Sequence, residues 1–265
     1  MDGSDGDVSV MARSDDLPVR RFALRVVSEL VRVNEIRTGT PKKALLDLVV
    51  RYARTGEVAY LDGLRAEMDR RNVSAAEVMD IYMTRAVQQL GTDWHDDQID
   101  ILQASLGFAR LQTLLRELGR AWSSDGMGHV SSGRILLLLP RAEQHSLGAM
   151  FAANQLRRLG VSVKVMLVPD IALLSELLHV HEFDGIFISV SNQAAIQTSG
   201  DLVSDLRARN PNKTPIVVGG GLVSGEIDAN ALARIAAMTG ADIVTNDIPK
   251  ALHSCGLQQC SAAAE

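Results

Sequence analysis

The stretch LLLLPRAEQHSLGAMFAANQL, residues 136–156, joins a run of leucines to a segment of helical character through a short loop. The leucines end at Pro140, which has no N–H group to continue a strand ladder, and His145 stands in the loop that follows. Small residues recur along the helical segment. This order predicts a buried strand, a loop that carries an imidazole, and a helix.

The same alternation of apolar runs and helical segments fills the second half of the chain. The apolar runs are residues 134–140, 161–168, 184–191, 214–221 and 241–247, and the helical segments are 147–159, 170–180, 198–210 and 228–238. Because the runs are apolar throughout instead of alternating, we expect strands that are covered on both faces. Five such units predict an α/β fold with a flavodoxin-like, doubly wound, five-stranded parallel sheet. Ligands of these sheets bind at the carboxyl ends of the strands, where His145 is expected.

The first half of the chain has helical periodicity instead. Amphipathic helices are predicted at 17–33, 40–54, 57–71, 74–90 and 99–122, and Ser74 and Glu77 have the spacing of a capping box. These helices predict an all-α bundle over residues 17–122, after an acidic tail at 1–16. A linker rich in serine and glycine, 123–133, separates the bundle from an α/β domain at 134–252, and 253–265 is predicted to be a tail.

Composition excludes several classes of function. The net charge of −5 gives no general affinity for nucleic acid, and no apolar run is as long as a membrane span. The N-terminus lacks the apolar centre of a signal peptide, so we expect a cytoplasmic protein. His253, Cys255 and Cys260 are too few and wrongly spaced for a zinc site. No nucleophile–base pair or paired-carboxylate motif stands out, so we expect no enzymatic activity.

The loops of the predicted sheet exclude other common ligands of this fold. The third strand ends in Ser-Val-Ser-Asn instead of the aspartate of a phospho-acceptor receiver. The first loop lacks the hydroxyl- and glycine-rich turn of a flavin-phosphate site, and it also lacks the G-x-G-x-x-G motif of a dinucleotide site. A different cofactor is therefore expected there.

The remaining motifs resemble the cobalamin-binding domain family, whose signature is D-x-H-x-x-G, then S-x-L, then G-G. This chain has Glu143, His145 and Gly148, followed at matching spacings by Ser189-Val190-Ser191 and by Gly219-Gly220-Gly221. The resemblance implies adenosyl- or hydroxocobalamin as the cofactor and His145 as the lower axial ligand of cobalt. Glu143, in the place of aspartate, would then accept a hydrogen bond from the imidazole. The resemblance also implies that the following residues contact the tail of the cofactor: Ser146, Gly148, Ser189, Ser191, Gly219, Gly220 and Gly221.

The helical half resembles the cap of corrinoid proteins and of cobalamin-based light sensors. Leu90, Gly91 and Trp94 match the cap motif, which implies that Trp94 lies over the upper face of the corrin. Packing of Trp94 in the bundle core is the alternative. The light-sensor motif continues with Glu-His, but this chain has Gln103 and Ala104. His95 is a second candidate for the upper axial position, and a solvated turn residue is its alternative reading.

Over residues 20–250 the layout resembles the PpaA/AerR family of photosynthesis antirepressors. That resemblance implies light-responsive transcription regulation through a DNA-binding repressor protein. Arg20, Arg21, Arg25 and Arg32 are scattered, so we expect direct DNA contact to be absent or weak. Three alternatives share this layout: a corrinoid carrier for methyl transfer, a haem-binding sensor, and an interaction protein that has lost its cofactor.

Overall fold

The computed structural model describes residues 42–120, 133–143, 146–167, 170–209, 213–223 and 229–257. The predicted tail at 1–16, the predicted helix at 17–33 and nearly all of the predicted linker lie outside these ranges. Gln144, His145 and Cys260 also lie outside them.

The described part of the first half is helical. It consists of α1 (Lys43–Thr55), α2 (Val58–Arg71), α3 (Ala75–Glu77), a π-helical segment (Val78–Met83), α4 (Thr84–His95) and α5 (Ile101–Leu118). The predicted capping box of Ser74 and Glu77 is confirmed, and Asp100 and Gln103 form a second one at the start of α5. The inward faces of these helices form one apolar cluster, in which Leu45, Met79 and Leu111 are fully buried.

The π-helical segment places one charged residue on the outside of the bundle. Five of its six residues are buried, whereas Asp80 forms a two-pronged ion pair with Arg158, with N–O distances of 2.6 and 2.8 Å. Thr84 Oγ1 donates to the carbonyl oxygen of Asp80 at 2.9 Å, which helps to satisfy a carbonyl in the widened turn. The segment thus ties the bundle to the α/β domain.

The second half forms the predicted five-stranded parallel sheet. Its strands are β1 (Gly133–Leu139), β2 (Val161–Leu167), β3 (Gly185–Ser189), β4 (Ile216–Gly219) and β5 (Ile243–Val244), in the order β2-β1-β3-β4-β5. Its helices are α6 (Ser146–Arg158), α7 (Ile171–Val180), α8 (Gln193–Arg209), α9 (Ala229–Thr239) and α10 (Ile248–Ser254). This strand order is that of the flavodoxin-like fold, so the predicted fold class is confirmed.

Apolar clusters cover the sheet on both faces, as the strand composition predicts. Leu136 and Leu138 point into one cluster with α7, α8 and α9, and Ile135, Leu137 and Leu139 point into the other with α6 and α10. At about 25 cal/mol per Å² of apolar surface buried, such two-sided burial is the main stabilising contribution to this half of the chain. The sheet is therefore a rigid base for the loops at its carboxyl edge.

Several elements differ from the predicted ranges. The helix predicted at 74–90 contains the π-helical segment and continues as α4 to His95, five residues past the predicted end. Helix α8 begins five residues earlier than predicted, because Asn192 Oδ1 caps it by accepting from Ala195 N at 2.8 Å. Strand β5 is only two residues long, because the side chains of Asp242 and Asn246 beside it accept hydrogen bonds from main-chain N–H groups of the β4 region. Helix α10 was not predicted, although Asp247 caps it and a proline lies in its first turn.

Asp242 joins β4 to α8 and gives the fold a pH-dependent contact. Its Oδ2 accepts from Ile216 N at 2.7 Å and from Arg207 at 2.6 Å. Burial raises the pKa of Asp242, but the bonds to Arg207 and to the Ile216 amide outweigh it and hold the pKa below its ordinary value. Because the pKa of Asp242 is lower in the folded than in the unfolded state, its ionised form stabilises the protein fully above the unfolded-state pKa. This stabilisation is lost as pH falls through the folded-state pKa.

We expect Asp242→Asn to lower the free energy of unfolding by about 1 kcal/mol at pH 7, since the ion pair is partly screened by solvent. The difference from the unaltered protein should shrink as pH falls below about 4, where Asp242 itself takes up a proton. Denaturant unfolding at pH 7, 5 and 3 measures the difference in free energy of unfolding between the variant and the unaltered protein. Asp205→Asn, at an exposed i,i+4 pair with Arg209, is the control and should change stability by less than about 0.5 kcal/mol. Equal effects of the two variants at pH 7 would contradict the assignment.

Candidate functional site

The loops after β1 and β3 meet at the carboxyl edge of the sheet through a buried carboxylate. Glu143 is only 5% exposed and accepts hydrogen bonds from the backbone N–H of Ser191 and, at 2.8 Å, from the Ser191 hydroxyl. Asn192 Nδ2 donates to the carbonyl oxygen of Ala142 at 3.2 Å in the same place. Two of the predicted site residues, Glu143 and Ser191, are therefore in direct contact.

The glycines after β4 pack against the protein's own backbone. Gly220 has φ +111°, and a Cβ added there would lie 2.5 Å from the carbonyl oxygen of Val190. A Cβ on Gly219 would lie 2.6 Å from the carbonyl oxygen of Thr245. The sequence motif assigned these glycines to close approach of a cofactor. Within the described chain, the close packing of neighbouring strand ends already requires glycine at both positions.

The first turn of α6 is open by contrast. Gly148 is exposed, and a Cβ added there would meet no atom of the described residues within 4 Å. Ser146, two residues earlier, accepts a hydrogen bond from Nε2 of Gln112 in α5 at 3.0 Å. Ser189, at the end of β3, is partly exposed at the same edge. None of the described residues packs against Gly148 at the start of α6.

Helix α5 projects past the start of α6. It runs parallel to α6, because Gln112 contacts Ser146 and Gly119, further along α5, lies against Asn154, further along α6. The eleven residues of α5 before Gln112 therefore extend about 16 Å beyond the start of α6, at 1.5 Å per residue. Ser105 lies two turns before Gln112 on the same side of α5, which is the side that contacts α6 further along the helix.

The projecting part of α5 is apolar and exposed. Ile101 is 56% exposed and Leu102 is 65% exposed, although both are large aliphatic side chains. An exposed apolar patch of this kind is typical of a surface that binds a ligand or partner. We call the region between this end of α5 and the first turn of α6 the gap.

The end of α4 belongs to the same end of the bundle, because only residues 96–100 separate α4 from α5. Trp94 there is 6% exposed, yet it is not among the described residues that form the bundle's apolar cluster. Asp93 beside it is buried and pairs with Arg54, and it also accepts from Gln89 Nε2 at 2.8 Å. His95 is partly buried, and its Nδ1 is a buried atom with no hydrogen-bond partner within the described ranges.

The two residues at the positions of the light-sensor Glu-His pair have structural roles. Gln103 completes the capping box of α5 by accepting from Asp100 N at 2.9 Å. Ala104 is 2% exposed and points into the bundle. Neither position offers a nitrogen ligand to the gap. His95 thus remains a prediction for an upper ligand, as does Trp94 for a cover of the corrin.

The described residues at the sheet edge fit the polar tail of a cofactor. The serines at the sheet edge supply hydroxyl groups, a Cβ on Gly148 would meet no described atom within 4 Å, and the aliphatic side chains of Ile101 and Leu102 are exposed at the start of α5. Sequence reasoning missed Gln112, Asn192 and Asn246, since their partners lie 26 to 50 residues away. Asn192, directly after the S-x-S motif, was the one with a local signal, because asparagine before a helix is a common cap.

The C-terminal histidine and cysteine do not form a metal site in the described structure. No group of three His, Cys, Asp or Glu side chains that could hold a metal ion occurs in the described ranges. Burial raises the pKa of the Cys255 thiol to about 11, which disfavours the thiolate form that metals bind. Among the described helices, none has the length and apolar character needed to cross a membrane.

Comparison with known proteins gives one related sequence and a shared fold. No family model matches the chain. The uncharacterized 20.5 kDa protein in the bchF-crtJ intergenic region of Rhodobacter capsulatus is 35% identical over 188 residues, which are 71% of this chain and 95% of the relative.

Among solved structures, the monomethylamine corrinoid protein of Methanosarcina barkeri covers 81% of this chain and 98% of its own, with 13% identity and a TM-score of 0.59. That value indicates a shared fold. A cobalamin-binding protein of Desulfitobacterium hafniense DCB-2 covers 80% of this chain and 97% of its own with 13% identity, but its TM-score of 0.39 is too low to support an argument.

Proposed function

The chain belongs to the family of the uncharacterized 20.5 kDa protein in the Rhodobacter capsulatus bchF-crtJ intergenic region, and from this premise we propose that it binds cobalamin and regulates transcription through a protein partner. One observation supports the cofactor most strongly. The described residues of the E-x-H-x-x-G and S-x-S motifs lie together at one edge of the sheet, where Glu143 bonds to Ser191. The first turn of α6 with Gly148 adjoins them, and exposed aliphatic side chains lie at the start of α5.

We assign His145 as the lower axial ligand of cobalt. Neutral imidazole is a good ligand for cobalt, and the loop after the first strand is the place where ligands of this fold bind. Glu143 is a carboxylate two residues before it, and its bonds to Ser191 fix its position. Ser146, Gly148, Ser189 and Ser191 would line the tail of the cofactor. When bound, cobalamin supplies a cobalt ion whose upper ligand is exchangeable and, for alkyl forms, sensitive to light.

The proposal that the protein regulates transcription has a different basis. It rests on the sequence resemblance to the antirepressor family, and the relation to the protein of the bchF-crtJ intergenic region is consistent with that resemblance. The partner would be a DNA-binding repressor protein. The interface between the bundle and the α/β domain offers a route, since a cofactor held by Ser146 would adjoin α5 of the bundle through Gln112. A ligand moves the bundle only if it binds two arrangements of it with different affinity.

A corrinoid carrier for methyl transfer is the second candidate. Its basis is the likeness in fold to the monomethylamine corrinoid protein, which covers 81% of this chain. A carrier would pass a methyl group to or from a separate enzyme, and it would show no light-dependent change in its contact with a repressor. A haem-binding sensor is a further alternative, which an absorption spectrum separates from a corrin protein at once.

The test is the visible spectrum of the purified protein mixed with hydroxocobalamin or adenosylcobalamin, in the dark and after illumination. We expect corrin to stay with the protein through gel filtration, and His145→Ala to weaken its binding by about tenfold or more, as for loss of a metal-site contact. His179→Ala, at an exposed histidine on α7, is the control and should bind normally. Absence of retained corrin in the unaltered protein would refute the cofactor assignment.

A further inference from the structure

We propose that Gln112 is a positioning residue through which the bundle regulates cofactor binding at the loop after β1. The inference rests on the proposed function, and it concerns how that site is controlled. Its basis is the hydrogen bond from Gln112 Nε2 to Ser146 Oγ, 3.0 Å long, which joins α5 of the bundle to the first residue of α6.

Glu143 and Ser146, on the two sides of positions 144 and 145, are bonded to different parts of the protein. Glu143 is bonded to Ser191, in the loop after β3 of the α/β domain. Ser146 is bonded to Gln112 of the bundle. A displacement of the bundle relative to the sheet would therefore change the separation of these two anchor points. The two anchor points flank the predicted cobalt ligand, so a change in their separation would act on the proposed site.

The other contacts between the bundle and α6 do not fix its first residue in the same way. Leu147, Met150 and Phe151 pack against the apolar cluster of the bundle, and such contacts are not directional. The ion pair of Asp80 and Arg158 is directional, but it holds the opposite end of α6. Gln112 thus supplies a directional contact at the end of α6 that adjoins the site.

The coupling works in both directions. If the position of the bundle changes the affinity for the cofactor, the cofactor must change the preferred position of the bundle by the same free energy. A cofactor that alters the start of α6 would therefore alter how the bundle sits on the α/β domain. The surface offered to a partner protein then differs between the loaded and the free state.

The experiment compares Gln112→Leu with Asp80→Asn in the full chain. Leucine keeps the bulk of the side chain but removes the donor, and Asp80→Asn weakens the same interface far from the site. Dissociation constants for hydroxocobalamin come from absorbance titration, and the melting temperature reports the structural cost. We expect Gln112→Leu to weaken binding by about threefold to tenfold, the range for one neutral hydrogen bond. Asp80→Asn should lower the melting temperature at least as far, with the dissociation constant changed less than about twofold.

Ser146→Ala and the double variant complete the test. If Gln112 acts through Ser146, the double variant should bind no more weakly than Ser146→Ala alone, because both changes remove one bond. An unchanged dissociation constant in Gln112→Leu, or an equal loss in Asp80→Asn, would overturn the inference while the unaltered protein still retains corrin. Failure of the unaltered protein to retain corrin would instead refute the proposed function, and the inference would fall with it.

Discussion

Replacing Gly220 with alanine is expected to lower the free energy of unfolding by about 2 to 4 kcal/mol, even when no cofactor is present. Two costs combine at this position. Its φ of +111° is unfavourable for any residue with a Cβ, and that Cβ would lie 2.5 Å from the Val190 carbonyl oxygen and 2.8 Å from the Val190 nitrogen. Both contacts are with backbone, so a rotation of side chains cannot relieve them.

Gly256 provides a matched control for the backbone conformation alone. Its φ is +72°, but a Cβ added there would meet no described atom within 4 Å. Gly256→Ala should therefore cost about 1 kcal/mol, the penalty for a left-handed conformation without overlap. Denaturant unfolding followed by circular dichroism compares the two variants. Equal losses of stability would mean that the strand ends separate more easily than their packing indicates.

The fold was predictable because its main signal is local. Strands that are apolar throughout indicate burial on both faces, and each of the five predicted runs contains a strand of the sheet. The edges of elements were less predictable where a side chain decides them. Asn192 sets the start of α8, and Asp242 limits β5 by bonding to Ile216 N, 26 residues away. Such bonds depend on which strands become neighbours, which the sequence does not state directly.

The contacts among the candidate site residues were less predictable than the fold. The motif predicts that Glu143 contacts the His145 imidazole and that Ser191 contacts a cofactor tail, and both stay predictions; the structure adds a contact between Glu143 and Ser191 that the motif did not indicate. The motif also assigned Gly148, Gly219 and Gly220 the same role, contact with the cofactor tail. Gly219 and Gly220 are required by the packing of the strand ends, whereas a Cβ on Gly148 would meet no described atom within 4 Å. Only geometry can separate a glycine that the fold requires from one that a ligand could require.

That distinction gives the largest expected effect on binding. Gly148→Leu should leave the free protein as stable as before or more stable by up to about 1 kcal/mol, because glycine within a helix is less favourable than leucine. The same change would fill the space beside the start of α6. We expect the affinity for hydroxocobalamin to fall by about tenfold or more, since overlap with the bound tail of the cofactor costs about 1 to 3 kcal/mol.

A variant that is as stable as the unaltered protein or more stable, but binds the cofactor more weakly, indicates that the ligand and not the fold requires glycine at that position. Unfolding by denaturant and absorbance titration on the same preparation measure both quantities. Gly148→Ala adds one methyl group and should give an intermediate affinity, whereas Ala172→Leu, at an exposed position on α7, should leave affinity unchanged. Retained affinity in Gly148→Leu would place the cofactor away from the start of α6. The motif glycine would then have no role in binding, and the gap below α5 would have to be assigned to a different ligand or to the partner protein.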